Sequence, residues 1–295
     1  MFNVLVPAHT HDDVDWAGRL SSLRRLDVLE RDRLDSVAAR LVAELPAQPT
    51  VVDVGSGAGG MSAALAGELG RRGGGTVILV DAVDELLSAA EKAARETGGS
   101  TVAVETIVAD LGTVELSDLL PPSDLIWASA VVHHLPDQQL AVRRLARALA
   151  PGGLLAVAEG GLDTRCLPWD VGVGEPGLEQ RLAAAHEAWF RQLRATMQGA
   201  VRMPYGWTEA LGKAGLTGVG SFSYLVDHPA PTTPAVREFV LERWTWLAEI
   251  AEERLGNGDR DAVRRLLDPE SPEYLGARDD LFLLNARTVH HGRRS

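Results

Sequence analysis

Cysteine is almost absent from this chain: Cys166 stands alone, which excludes an internal disulfide and denies any metal site a thiolate set. It reads as a spare, partly buried thiol. Long apolar runs are missing too, none approaching about 18 residues, so no membrane span is expected. Positive charge is in deficit. The 29 Lys and Arg face 41 Asp and Glu, giving a net charge of -12, and no basic run interleaves with aromatics. That balance argues against a nucleic-acid backbone as partner and in favour of a small molecule or a peptide. The opening "MFNVLVPAHTHDD" lacks the basic and apolar regions of a secretory signal, which points to the cytoplasm. His9, His11, His290 and His291 sit near the termini and read as parts of solvated tails.

The 295 residues suffice for one large core carrying insertions. Apolar spacing over residues 15–45 predicts two helices closed by Pro46, an N-terminal helical lid over 1–46. A different rhythm follows in 47–160. Short β-branched runs at 50–54, 76–80, 101–109, 124–129 and 153–159 alternate with amphipathic segments at 59–71, 84–96 and 138–150, the last behind Asp137 as N-cap. Apolar strands alternating with helices predict an α/β, doubly wound, Rossmann-like sheet covered on both faces. After Glu159 come a long helix at 176–197, a short one at 208–215 capped by Thr208, a strand at 218–226, helix again at 237–255, and a strand at 280–290. The last two strands are expected to pair antiparallel at the sheet edge. Segments 161–216 and 228–278 then remain as cap insertions, with 217–227 and 279–295 completing the sheet.

The stretch "VVDVGSGAGG" (51–60) ends a strand and opens a helix, a geometry that aims backbone N–H groups and the positive helix terminus at a ligand. Its glycines are ambiguous. Gly55, Gly57 and Gly60 satisfy a dinucleotide spacing; Gly55, Gly57 and Gly59 satisfy the spacing of S-adenosylmethionine sites. Asp81, ending the next strand in "VILVDA", can accept both hydroxyls of a ribose, and either cofactor has one. Asp110 in "VADLG" stands where it could accept from an adenine amino group. Asp53, two residues before Gly55, places a carboxylate that suits an ammonium or sulfonium and opposes a pyrophosphate.

Together with "SAVVHHLPD" (129–137) and "LARALAPGGLLAVAE" (145–159), these segments make five ordered motifs across 50–160, and the chain resembles the class I S-adenosylmethionine-dependent methyltransferases. Its "HHLPD" is most similar to the branch of ubiquinone-type and other small-molecule methyltransferases. The resemblance implies a seven-stranded sheet with the last strand antiparallel and S-adenosylmethionine (SAM) as cofactor. It assigns Asp53, Gly55, Ser56 and Gly57 to the methionine end, Asp81 and Ala82 to the ribose, Asp110 and Leu111 to adenine, and Ser129 and Ala130 to the sulfonium. The reaction implied is methyl transfer to O, N or C of a small, natural-product-like acceptor. A peptide acceptor, including a peptide carboxylate, and a NAD-dependent oxidoreductase are the alternatives.

Methyl transfer needs an acceptor held in line and, for a protonated acceptor, a base. His133 and His134 follow the fourth strand and are the candidate catalytic residues; shaping of the turn is the simpler role. No carboxylate cluster completes a ligand set around them, so no metal is expected. His186 shares a helix face with Trp189 and Phe190, either as core or as pocket wall. Six of the seven tryptophans lie outside 50–160, in the expected lid and caps. Arg202, Tyr205 and Trp207 are placed in a loop facing the top of the sheet, where they could grip, hydrogen-bond and stack on an acceptor.

Overall fold

A computed structural model describes residues 14–295; His9 and His11 lie outside them. The described residues begin with one long helix α1 (Leu20–Val42) behind a single 3-10 turn at Ala17–Arg19, where the sequence predicts two helices. The apolar spacing on its two halves continues one buried face through Leu34, Val37, Ala38 and Leu41. The alternating core follows as β1 (Thr50–Val54), α2 (Gly60–Arg71), β2 (Gly75–Asp81), α3 (Asp84–Gly98), β3 (Val102–Val108), β4 (Ser123–Ser129), α4 (Gln138–Arg147) and β5 (Leu149–Arg165). After these come α5 (Leu178–Thr196), α6 (Trp207–Lys213), β6 (Thr217–His228), α7 (Pro234–Ala251), α8 (Asn257–Leu267) and β7 (Leu283–Arg293). Helix α8 has no counterpart in the sequence reading.

The seven strands form one sheet in the order β3-β2-β1-β4-β5-β7-β6. The first five run parallel, with Val52 opposite Ile78 on β2 and Ile126 on β4. The final strand is antiparallel: Phe282 N–H donates to Cys166 at one end and Arg294 N–H to Gly153 at the other. It lies between β5 and β6 and is no edge strand. His290 and His291 are therefore strand residues and not part of a solvated tail. Burial pushes both below the usual histidine range, and His291 packs against Phe222 on β6.

Side chains alternate across β1. Val52 and Val54 enter the apolar cluster with Ile78, Val80, Ile126, Ala128 and Val157, covered by Val142 and Leu145 of α4. Asp53 is thereby turned to the opposite face, toward Ser62 of α2. Helix α4 is capped as expected, the Asp137 carboxylate accepting the Leu140 N–H at 2.8 Å, and it stops at Arg147, so the Pro-Gly-Gly segment falls within β5. Helix α6 begins at Trp207 behind Gly206, so Thr208 is inside the helix and not its cap.

The chain divides into two compact units. One takes the described residues up to Gly160 with Met197–Ser223 and Thr288–Ser295; the other is Gly161–Thr196 and Tyr224–Arg287. Residues 197–216, expected in a cap, thus fold with the parallel core. In the second unit Arg181 grips Asp259 with two hydrogen bonds of 2.7 and 2.9 Å. Buried Glu179 accepts the Cys166 N–H at 2.7 Å and the Arg165 guanidinium at 2.8 Å. The Cys166 thiol is buried and pushed up to about 12, an inert state. No helix among the described residues is long and apolar enough to cross a membrane.

Candidate active site

The carboxyl ends of β1, β2 and β4 converge on the glycine loop. Gly55 has a left-handed backbone (φ +67°), and a Cβ there would lie 2.2 Å from Val131, so only glycine lets the turn after β4 come this close. Gly57 is also left-handed (φ +54°), and a Cβ there would meet no side chain. Gly55 and Ser56 donate their N–H groups to Val80 on β2 at 2.7 and 3.2 Å. Asp81 completes the tie: its carboxylate accepts Gly57 N–H and Val83 N–H, both at 3.0 Å. Burial raises the Asp81 pKa, opposed by those N–H bonds.

Asp53 lies under this loop, 2% exposed, accepting the Ser62 hydroxyl at 2.5 Å. Burial pushes its carboxyl up to about 7 against the Ser62 hydrogen bond, and the negative charge of Asp81 adds to the rise. A second acid, which the sequence did not single out, sits opposite. Asp27 of α1 accepts the backbone N–H of Gly60, and a Cβ on Gly60 would be 2.3 Å from its carboxylate oxygen. Burial pushes Asp27 up to about 7; the Gly60 N–H and, less strongly, the charge of Arg31 oppose this, and the charges of Glu30 and Asp53 add to it. Asp27 occupies the first N–H of α2, at the helix terminus that a dinucleotide pyrophosphate would need. Gly60 therefore makes room for Asp27, and its match to the dinucleotide spacing is incidental.

Asp110 follows β3, its carboxylate accepting the Gly112 N–H at 2.8 Å, with Leu111 packed against the apolar cluster. Beyond Ser129, Ala130 adopts a left-handed backbone (φ +53°) rare for a residue with a Cβ, and its N–H donates to Ala158 at 3.0 Å. This bend presents three successive N–H groups to one buried carboxylate oxygen of Glu159, the last parallel-core residue of β5. Oε1 accepts from Val131 at 3.1 Å, Val132 at 2.8 Å and His133 at 3.3 Å, while Oε2 meets His133 Nδ1 at 2.6 Å. The sequence reading marked Glu159 only as a strand end.

His133 and His134 have different surroundings. The His133 ring is 31% exposed and bound to Glu159. His134 packs 4.1 Å from it and meets Trp16 edge-on at 5.3 Å, with Arg19 over the Trp16 face. Among the described residues no cluster of three or more His, Cys, Asp or Glu could hold a metal ion.

The expected acceptor residues are dispersed. Tyr205 donates its hydroxyl to Gln139 of α4 at 2.9 Å, and Gln139 in turn donates to Ala210 of α6. Trp207 is a helix residue, not a loop residue, and packs on the apolar cluster beside α4. Both contacts fasten α6 to the core. Arg202 is exposed. His186 belongs to the second unit, where it stacks on Trp189 at 5.6 Å and meets Trp246 at 5.1 Å.

Two features test the fit to SAM. Ser56 is 7% exposed, and its hydroxyl has no hydrogen-bond partner among the described residues. Asp53 is buried with another acid as the neighbouring charge that acts on it. A ligand bringing hydrogen-bonding groups and an ammonium satisfies both.

Comparison with known proteins places these residues in context. Residues 52–155 match the family described as Methyltransferase domain. The chain is 29% identical over 195 residues to the 2-methyl-6-phytyl-1,4-hydroquinone methyltransferase of Synechocystis sp., covering 65% of this chain and 53% of that protein. It is 35% identical over 128 residues to the trans-aconitate 2-methyltransferase of Azoarcus sp., covering 43% and 46%. The chain thus spans about half the length of the curated relatives it matches. Among solved structures, phosphoethanolamine N-methyltransferase 2 of Haemonchus contortus superposes with a TM-score of 0.51 at 18% identity, covering 100% of this chain and 62% of that one, a likeness of fold.

Proposed function

We propose that this chain, whose residues 52–155 match a methyltransferase domain, is a SAM-dependent methyltransferase that transfers a methyl group to an oxygen, nitrogen or carbon of a small organic acceptor. The observation that carries this reading is the glycine loop, where a partnerless serine hydroxyl and a buried acid without a matching cation sit together. Two relatives named for small acceptors, a hydroquinone and trans-aconitate, support the substrate class.

When bound, SAM supplies a methyl group on an electrophilic sulfonium. This chain's residues hold and shield. Asp53, Gly55, Ser56 and Gly57 take the methionine end, Asp53 matching the ammonium in charge. Asp81 and Ala82 take the ribose, Asp110 and Leu111 the adenine, and Ser129 and Ala130 the turn beside the sulfonium. His133 removes the acceptor proton, and His134 with Trp16 walls the adjoining space. A base of this kind contributes roughly 100-fold or more to rate.

The test is parallel calorimetric titration of the full chain with S-adenosylhomocysteine (SAH) and with NAD. Micromolar binding of SAH alone supports the reading, and NAD binding alone overturns it. Screening small aromatic and carboxylate metabolites, then short peptides, would follow. With an acceptor in hand, H133A should lose about 100-fold in turnover while still binding SAH; full turnover would remove His133 from the chemistry.

A further inference from the structure

We infer that Glu159 is a positioning residue that fixes His133 in one tautomer, with the proton on Nδ1 and the basic lone pair on Nε2. This deepens the reading of His133 as the base and rests on it. The inference begins with donor counting. Oε1 of Glu159 faces three backbone N–H groups in succession, from Val131, Val132 and His133. An oxygen facing three N–H donors acts as an acceptor, and a carboxylate accepts hydrogen bonds and donates none. The 2.6 Å contact from Oε2 to His133 Nδ1 therefore requires that Nδ1 carry the hydrogen. In the neutral ring Nε2 is then the acceptor.

The backbone makes this arrangement stiff. Ala130 turns left-handed at the end of β4, a conformation rare for a residue with a Cβ, and the three N–H groups that follow are gathered onto one oxygen. The Glu159 backbone is anchored as well, its carbonyl meeting His290 Nε2 at 3.2 Å from β7. One side chain thus sets both the path of the turn and the orientation of the ring, as an acid does for a histidine base in a hydrolytic triad. When an acceptor O–H or N–H reacts, its lone pair forms the bond to the methyl carbon as the carbon–sulfur bond breaks. The proton passes to Nε2, and Glu159 balances the imidazolium until water takes the proton.

The sharpest probe is E159Q. Glutamine keeps the shape and an oxygen for the three backbone donors, but its amide nitrogen donates to Nδ1 and so moves the ring proton to Nε2. Long-range proton–nitrogen NMR of histidine-labelled full chain, with the His133 signal identified by its loss in H133Q, reads the tautomer directly. The expected result is Nδ1–H in the wild type and Nε2–H in E159Q, with SAH affinity unchanged within about threefold. An Nε2–H wild-type ring, or an E159Q ring that keeps Nδ1–H, overturns the inference. Should E159Q fail to fold, the wild-type tautomer decides alone. Because the readout needs neither cofactor nor acceptor, its failure is distinct from a failure to bind SAH.

Discussion

The molecule buries carboxylates in two neighbouring places and treats them in opposite ways. Glu159 is met by three backbone N–H donors and a histidine ring nitrogen, all supplied by the turn after β4. Asp53 and Asp27, flanking the glycine loop, have one hydroxyl and one N–H between them, and each raises the pKa of the other or is raised by a further acid. A carboxylate with a full set of donors is part of the scaffold. Asp27 has Arg31 among the charges acting on it, whereas Asp53 has only Asp81, and an acid buried beside another acid is unfavourable until a positive charge offsets it. Among the described residues the first site has its partners in place; under the proposed function, binding completes the second.

Breaking the complete site should cost most. E159A leaves three N–H groups and a ring nitrogen without their acceptor, and urea denaturation should report a loss of about 3–5 kcal/mol. A loss below about 1 kcal/mol would mean that water replaces the carboxylate. At the loop the ligand should feel the change first. D53N removes the charge proposed to meet the ammonium, and SAH should bind roughly 10- to 100-fold more weakly by calorimetry.

Substituting Asp27 sharpens the contrast through pH. Its folded pKa of about 7 stands above the ordinary 3.8, so the folded state holds a proton that the unfolded chain has released between those values. Stability from this group is therefore full below about pH 4 and is lost as pH rises through 7. D27N, which can still accept the Gly60 N–H, should leave stability at pH 4 unchanged and add about 2 kcal/mol at pH 8, a value discounted for partial exposure. An intermediate case is Asp137, which accepts one N–H at the start of α4. D137A should cost about 1 kcal/mol at neutral pH, an ordinary capping loss, and leave SAH binding untouched.

The parallel core was legible because its signals are local. Apolar strands of five to seven residues, glycines at a strand-to-helix turn, and Asp137 before an amphipathic run each carry their cause within a few positions. What stayed hidden depends on distance in sequence. Asp27 meets Gly60 from another helix, and in "RRLDVLERDRLD" nothing distinguishes it from the surface acids around it. Glu159 acts on a turn 26 to 28 residues earlier, so its own neighbours reveal only a strand end. His290 and His291 looked like a tail because proximity to the terminus was given more weight than the apolar run that continues into β7. Trp207 and Tyr205 looked free for a ligand because the sequence does not disclose that α6 is fastened to α4.

The contrast between a complete and an incomplete acid site is tested most directly by titrating SAH into the full chain at pH 7 in two buffers of different ionisation enthalpy. The two heats yield the number of protons exchanged on binding. An ammonium arriving beside Asp53 and Asp27 should draw both into the ionised form, so net proton release is expected, diminished in D53N and in D27N. Binding without proton release, equal in the wild type and both variants, would contradict the account.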